Sequence, residues 1–146
     1  MIQYITLRVN AHSTEDRSRV DQALDFFLQN IDSDKEKLVE TISAEGHYGN
    51  PIIIYNAQIT QRSKCRYFIS FLKKELNPDD LEKLRSEISL RLDEDQFFYM
   101  KFDKQTAYQG KLELSSSSDA VTVKMKITTF PKNWDNARRF MEEVLE

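Results

Sequence analysis

The chain has 146 residues, of which 31% are charged and 40% are hydrophobic, and its formal net charge is −3. This length and composition are typical of one domain with a core of its own. The sequence contains no run of about 18 apolar residues that could span a bilayer, so no membrane partner is expected. The excess of acids argues against a protein that coats nucleic acid through its overall charge.

Two features of the sequence favour the cytoplasm. Cys65 is the single cysteine, which excludes an intrachain disulfide and is typical of a reducing compartment. The first residues enter strand-like alternation directly, without the basic start and apolar block of a secretory signal. We therefore expect a cytoplasmic protein.

The first half of the chain predicts three strands and one helix. Residues 2–12 alternate between apolar and polar side chains, as in a half-buried strand. Apolar residues between positions 20 and 31 recur at spacings of three and four, which is typical of an amphipathic helix. Two further strands are predicted at residues 37–44 and 52–60, and the second is the most β-branched run in the chain.

The second half predicts three helices and three strands. Two helices with apolar stripes over residues 65–76 and 81–92 meet at Asn77, which we expect to cap the second one. The last helix is predicted from residue 134 to residue 145.

The strands of this half occupy the stretch between those helices. They are predicted at residues 96–102, 112–114 and 121–128. Residues 103–109 are predicted to form a turn or a short helix between the first two of them.

The predicted order is β-α-β-β-α-α-β-β-β-α, which places the fold in the α+β class. We expect a mostly antiparallel mixed sheet of about six strands, with about four helices packed on one face. No linker, repeat or low-complexity segment interrupts the sequence, so one domain is predicted over residues 1–146.

Residue chemistry predicts neither a metal site nor a catalytic set. The histidines are His12 and His47, and Cys65 lies on an apolar helix stripe, where cysteines are commonly buried and inert. No Walker-type phosphate loop or dinucleotide fingerprint occurs. The Gly-x-x-Gly of residues 46–49 matches an RNA-binding KH loop in letters, but it joins two strands rather than two helices. We expect no enzyme and no cofactor.

One face of the predicted sheet combines cations with aromatic side chains. Strand parity places the following residues on the side away from the core: Tyr4, Arg8, Tyr99, Lys101, Lys124 and Lys126. Several RNA modules hold single strands on such a face. The alternative is a solvent-exposed sheet face without a ligand, on which lysines prevent aggregation, as in many antiparallel sheets. The alternation of the residues, taken alone, favours this alternative.

A basic segment opens the helix that follows the third strand. Arg62, Lys64 and Arg66 lie where cations oppose the helix dipole. They indicate either an anionic partner or an absence of selection against a cost of a few tenths of a kcal/mol.

Residues 45–51 hold two of the three glycines and one of the three prolines of the chain. Glycines used so sparingly mark backbone positions that other residues rarely adopt. We predict a shaped turn that presents His47, Tyr48 and Asn50 at one end of the sheet.

Two stretches together carry a family resemblance over nearly the whole chain. The first is Glu45-Gly46-His47-Tyr48-Gly49-Asn50-Pro51-Ile52. The second runs from Phe98 to Leu112 and contains a strand followed by the motif Lys104-Gln105-Thr106-Ala107-Tyr108-Gln109-Gly110. The pair resembles a small archaeal family of RNA-binding proteins or predicted exosome subunits, long described as a domain of unknown function. The resemblance implies a fold like that of the large-subunit ribosomal protein that binds 5S RNA. It also implies a role in RNA binding or processing, without agreed catalytic residues.

Residues of the second motif could serve RNA binding or the local structure. Lys104 is a flexible point charge suited to a phosphate. Gln105 can bond a base edge or its own turn, and Tyr108 can stack a base or pack beneath that turn.

The first hypothesis is a non-enzymatic RNA-binding protein, an accessory of RNA processing or of the exosome. Its predicted RNA-binding residues are His47, Tyr48, Asn50, Arg62, Lys64, Arg66, Tyr99, Lys101, Lys104, Gln105, Tyr108, Lys124 and Lys126. The alternative is a protein-interaction module or structural accessory without direct RNA contact. It would dock RNA-processing proteins or a second copy of the chain through opposed basic and acidic segments. An enzyme comes last, because no acid–base pair is apparent.

Overall fold

The computed structural model describes residues 1–29, 31, 39–45 and 49–146. Within them lies one antiparallel sheet whose spatial order is β2-β3-β1-β5-β4. Its five strands are β1 (Ile2–His12), β2 (Val39–Glu45), β3 (Pro51–Ile59), β4 (Phe97–Phe102) and β5 (Val121–Ile127). The longest strand, β1, pairs with β3 on one side and with β5 on the other.

Six helices accompany the sheet in the same described residues. They are α1 (Arg17–Leu28), α2 (Arg62–Glu75), α3 (Pro78–Ser86), α4 (Ile88–Arg91), α5 (Lys104–Tyr108) and α6 (Trp134–Val144). Side-chain oxygens of Asp16, Asn77, Asp103 and Asn133 cap α1, α3, α5 and α6 by accepting backbone N–H groups. Such caps satisfy donors that have no partner within the helix. The predicted cap at Asn77 is confirmed. None of the described helices is long and apolar enough to cross a membrane.

The core lies between the helices and one face of the sheet. Alternate residues of β1, among them Ile5 and Leu7, are buried together with Leu24 of α1, Phe68 of α2 and Met141 of α6. The residues between them in β1 point to the other face, which we call the open face. A shallow hollow of about 430 Å³ lies on it between β3 and β4.

The structure confirms an α+β fold with an antiparallel sheet, and it differs from the sequence prediction in two elements. The expected strand at residues 112–114 forms only isolated bridges, from Leu112 to Leu76 and from Leu114 to Phe102. The segment is too short for a ladder, because Gly110 turns the chain just before it and a polar serine loop follows. The helix predicted over residues 81–92 is divided between α3 and α4 at Glu87. Of the two alternatives predicted for residues 103–109, a turn or a short helix, the structure has the short helix α5.

The strand predicted at residues 37–44 appears as β2, and its first two predicted residues lie outside the described part of the chain. Gly49, in the turn before β3, has φ +73, and Gly110 has φ +79. Both values fall in the left-handed region that side chains disfavour, while an added Cβ would meet nothing within 4 Å at either position. Backbone conformation rather than space therefore requires glycine here.

The two faces of β1 predict opposite responses to truncation at adjacent positions. We expect Leu7→Ala to lower the free energy of unfolding by about 2–5 kcal/mol, because it empties space in the core. Thr6→Ala, on the open face, is the matched control and should change stability by about 0.5 kcal/mol or less. Urea denaturation measures both, and equal losses would contradict the assignment of the two faces.

Candidate nucleic-acid interface

Three rows of side chains cross the open face, because the pairing of β3, β1, β5 and β4 aligns their outward residues. The rows are Tyr4-Lys126-Phe97, Gln58-Thr6-Lys124-Tyr99 and Asn56-Arg8-Thr122-Lys101. We call Tyr4, Phe97 and Tyr99 the aromatic strip, and Arg8, Lys101, Lys124 and Lys126 the open-face cations. The predicted alternation of these residues is confirmed, and Phe97 joins them.

The lysines of β5 lie over the aromatic rings of β4. The Lys124 ammonium is 4.0 Å from the centroid of the Phe97 ring and 5.6 Å from that of Tyr99. The Lys126 ammonium is 4.5 Å from the Phe97 centroid. The Tyr4 ring meets the Phe97 ring edge-on, at a centroid distance of 6.3 Å. Cation–π attraction, about 0.5–1 kcal/mol at an exposed site, therefore orders cations and rings into one surface.

Asp93 fixes the outer edge of the aromatic strip. Its carboxylate accepts hydrogen bonds from the Tyr99 hydroxyl at 3.0 Å and from the Phe97 backbone N–H at 2.8 Å. Burial and the bond to Asp93 raise the pKa of Tyr99 above its ordinary value. The phenol therefore stays neutral at physiological pH, and its ring is held in place.

Gln96 joins the loop before β4 to the end of β5. Its Nε2 donates to the Ile127 carbonyl at 3.1 Å and to Thr129 Oγ1 at 3.3 Å. The side chain is only 1% exposed, and the backbone has φ +66, which is unusual for a residue other than glycine. Gln96 was predicted as the first residue of a strand. Neither periodicity nor composition indicates a glutamine with a left-handed backbone conformation.

Lys104 is tied into the fold. Its Nζ donates to the Asn10 carbonyl at 2.7 Å, to Glu15 Oε1 at 2.9 Å and to Asp119 Oδ1 at 3.0 Å. The side chain is 11% exposed, and a lysine has three N–H donors. Lys104 is thus not the flexible point charge that the sequence suggested, and a phosphate would have to compete with these bonds. Its contact with RNA stays a prediction.

Three potential metal ligands surround the same ammonium group. Ligand atoms of His12, Glu15 and Asp119 lie within 4.8 Å of one another. His12 Nε2 is 3.3 Å from Asp119 Oδ1, and Lys104 provides the positive charge between the two carboxylates. Sequence spacing could not reveal this cluster, because Asp119 lies 107 residues after His12.

The other residues of the second motif lie in the helix layer, where α5 packs against α1. Gln105 is exposed, and Tyr108 is half-buried with the Arg19 guanidinium 5.2 Å from its ring centroid. Gln105, Tyr108 and Arg19 line a hollow of about 250 Å³. The motif therefore adjoins α1 instead of contributing to the rows of the open face.

The basic helix start lies beside a groove of about 490 Å³. Arg62 and Arg66 line it together with Met1, Ile2, Cys65, Ile69, Ser70, Phe140 and Val144. Partial burial, and then repulsion by Arg62, lower the pKa of the amino terminus. Cys65 is buried as predicted, and burial raises the pKa of its thiol.

The remaining predicted residues occupy separate positions. Lys64 is half-buried in α2, away from the groove lining. Asn50 is exposed immediately before β3. His47 and Tyr48 lie outside the described residues.

Loss of the Lys104 ammonium should destabilise the protein. We expect Lys104→Met to lower the free energy of unfolding by about 1–3 kcal/mol, because it removes the charged donor that two carboxylates and a carbonyl share. Lys111→Met removes the same charge from an exposed position shortly after α5 and should cost about 0.5 kcal/mol or less. Urea denaturation compares the two, and an unchanged midpoint for Lys104→Met would show that the cluster contributes no stability.

Comparison with known proteins identifies the family. A family model described as RNA binding matches residues 4–127. The chain is 33% identical over 142 residues to RNA-binding protein PAB1135 of Pyrococcus abyssi, an alignment that covers 97% of this chain and 92% of that protein.

Solved structures of similar fold belong to the same family. The fold is similar to that of protein AF2318 from Archaeglobus fulgidus, with a TM-score of 0.87, 28% identity and 99% of both chains covered. It is also similar to Mth689, a DUF54 protein from Methanothermobacter thermautotrophicus, with a TM-score of 0.81, 27% identity, and 100% and 99% of the two chains covered. The resemblance seen in the sequence is thereby confirmed, and the chain belongs to the archaeal DUF54 family that is described as RNA binding.

Proposed function

We propose that this chain binds RNA on the open face of its sheet. The open-face cations hold phosphates, and the aromatic strip stacks bases. The observation that carries the proposal is the placement of Lys124 and Lys126 directly over the Phe97 ring. A nucleotide needs a positive charge and a flat apolar surface side by side, and the rows supply both within one strand spacing of about 4.8 Å.

The lysines that cover the rings do not prevent stacking. Moving an ammonium group from such a ring costs about 0.5–1 kcal/mol, whereas stacking a base on an aromatic side chain is worth about 1–3 kcal/mol. Moving the Lys126 ammonium also breaks its hydrogen bond to the Asp95 carbonyl, so Lys124 is the easier of the two to displace. The gain from stacking therefore exceeds the cost of moving the ammonium. A base can replace the lysine on the ring, and the ammonium can then bind a phosphate.

Charge limits the interface to part of the sheet. Although the whole chain carries a net charge of −3, the outward residues of β5 and β4 are cationic, aromatic or neutral. Glu40 of β2 lies opposite Asn56 of β3 and ends the third row with an acid. We therefore assign RNA to the half of the open face formed by β1, β5 and β4.

The family description and the name of the Pyrococcus abyssi relative support RNA as the ligand. The predicted contacts outside the open face stay predictions: His47, Tyr48, Asn50, Arg62, Lys64, Arg66, Lys104, Gln105 and Tyr108. For Lys104 we favour a positioning role through Glu15 and Asp119. From the resemblance we also propose an accessory role in RNA processing or in the exosome, and from the cysteine usage and residue chemistry of the sequence a cytoplasmic, non-catalytic protein. The likeness to the 5S RNA-binding ribosomal protein also rests on the resemblance.

Binding should depend on salt and on the lysines of β5. We expect Lys124→Ala/Lys126→Ala to weaken the binding of a single-stranded RNA. The slope of log affinity against log salt should fall by about 1.4, because each lost phosphate contact removes about 0.7. Fluorescence anisotropy at several salt concentrations measures both quantities.

The matched control is Lys73→Ala/Lys74→Ala, which removes the same charge from exposed positions of α2. It should leave the slope near the wild-type value. Equal effects of the two double variants would mean that overall charge, and not the open face, determines binding.

Protein docking is a second candidate function, favoured by the groove between α2, α6 and the amino terminus. Its walls include Ile2, Ile69 and Phe140, and its rim carries Arg62 and Arg66. This arrangement suits a partner segment with apolar and acidic side chains.

The groove can be tested separately from the open face. Arg62→Glu/Arg66→Glu should abolish a protein complex that survives nuclease treatment, because like charges then meet across the rim. Lys73→Glu/Lys74→Glu makes the same charge change at the other end of α2 and should retain the complex. Retention of the complex by both variants, measured by pull-down with a purified partner, would exclude the groove.

A further inference from the structure

We infer that Phe130 is an additional base-stacking residue beyond the end of the sheet, and that the ligand is single-stranded RNA. The inference rests on the proposed function, since it extends the same interface by one aromatic side chain. Phe130 was not among the residues that the sequence predicted.

The exposure of Phe130 is complete. Its side chain is 100% exposed, compared with 84% for Leu90, another exposed apolar residue. Burying a phenylalanine is worth about 1.5–3 kcal/mol, and here the fold gains none of it. Single exposed apolar residues are common on protein surfaces, so exposure alone does not indicate that Phe130 binds a ligand.

The loop that carries the ring is fixed by hydrogen bonds. Thr129 Oγ1 donates to the Pro131 carbonyl at 3.0 Å, and the same carbonyl accepts from Asn136 Nδ2 at 3.0 Å. On the other side, the Thr128 N–H donates to the Met1 carbonyl at 2.8 Å. The backbone on both sides of Phe130 is thus fixed before any ligand arrives, which lowers the entropy cost of using the ring in binding.

The loop lies at the end of the sheet that carries the first row of the open face. Thr128 bonds Met1 next to the Ile2–Ile127 pair, and the following pair in that direction of β1 contains Tyr4 and Lys126. Gln96 reaches Thr129 through its side chain, while its neighbour in the chain is Phe97. Phe130 is four positions after Lys126 in the chain, so their Cα atoms are at most about 14 Å apart. A short stretch of one RNA strand can reach both.

The surroundings of Phe130 favour a nucleotide over an apolar protein surface. Apart from Pro131, its neighbours along the chain are polar or cationic: Thr128, Thr129, Lys132 and Asn133. The nearest acid along the chain, Asp135, is within 3.9 Å of the Arg138 guanidinium. An isolated ring beside cations suits an unpaired base, because every base has a π-face and a phosphate attached to it.

A duplex does not suit this surface. Bases inside an A-form helix are stacked on each other and present only their edges. A ring that projects from a loop and the flat aromatic strip both require bases that are free to leave the stack. The combination therefore selects single strands, loops or unpaired ends.

The test is a titration with a labelled single-stranded RNA of about 12 nucleotides, a length suited to an extended single-strand groove, and with the same RNA annealed to its complement. We expect Phe130→Ala to weaken single-strand binding by about 5- to 150-fold without changing the salt slope, as the loss of one stacked base predicts. Phe130→Trp should restore binding, and Leu90→Ala should leave it unchanged. Melting temperatures should match the wild type, because the ring makes no core contact.

Several results would overturn the inference. Wild-type affinity in Phe130→Ala, while Tyr99→Ala and Lys124→Ala/Lys126→Ala weaken binding, would remove Phe130 and leave the proposed function intact. Full rescue by Phe130→Leu would indicate an apolar contact in place of stacking. Equal losses on single and double strands would contradict the single-strand preference. No effect from any open-face variant would overturn the proposed function as well.

Discussion

Both the core and the open face depend on the pairing of β1 with two neighbours at once. Because β3 and β5 bond its two edges, β1 cannot slip by one residue without turning Ile5 and Leu7 outward and Tyr4 and Arg8 inward. Burial of the apolar set therefore fixes the position of the polar set. The rows of the open face exist because the core holds the register.

The predictable part of the site is the part encoded by strand parity. Alternation over β5 and β4 is local, so it placed Lys124, Lys126 and Tyr99 on a common face without any knowledge of the neighbouring strands. Helix α5 could be foreseen only as one of two alternatives, because five residues carry little periodicity. The sixth strand was overestimated for the same reason, since Leu112 and Leu114 are two apolar residues without a ladder to join.

The remainder depends on contacts between distant segments. Lys104 contacts Glu15 and Asp119 at sequence separations of 89 and 15 residues. No local pattern in the sequence predicts these contacts. A motif lysine on an exposed turn and one enclosed by carboxylates look identical in sequence. Gln96 presents the same difficulty, because its left-handed backbone is maintained by bonds to the far end of β5. Family membership is shown by the comparisons, but the role of each motif residue has to be argued from the geometry.

The lysines above the Phe97 ring also connect two recognition events. While an ammonium group covers the ring, a neutral base meets a cation instead of an apolar surface. A phosphate that draws the ammonium away exposes the ring at the same moment, so charge recognition opens the position for the base. By thermodynamic reciprocity, a base that occupies the ring releases the lysine for the phosphate. A polyanion without bases would engage only the lysines, and a nucleoside without phosphate would engage only the ring. On the proposed interface, a nucleotide chain would engage both cooperatively.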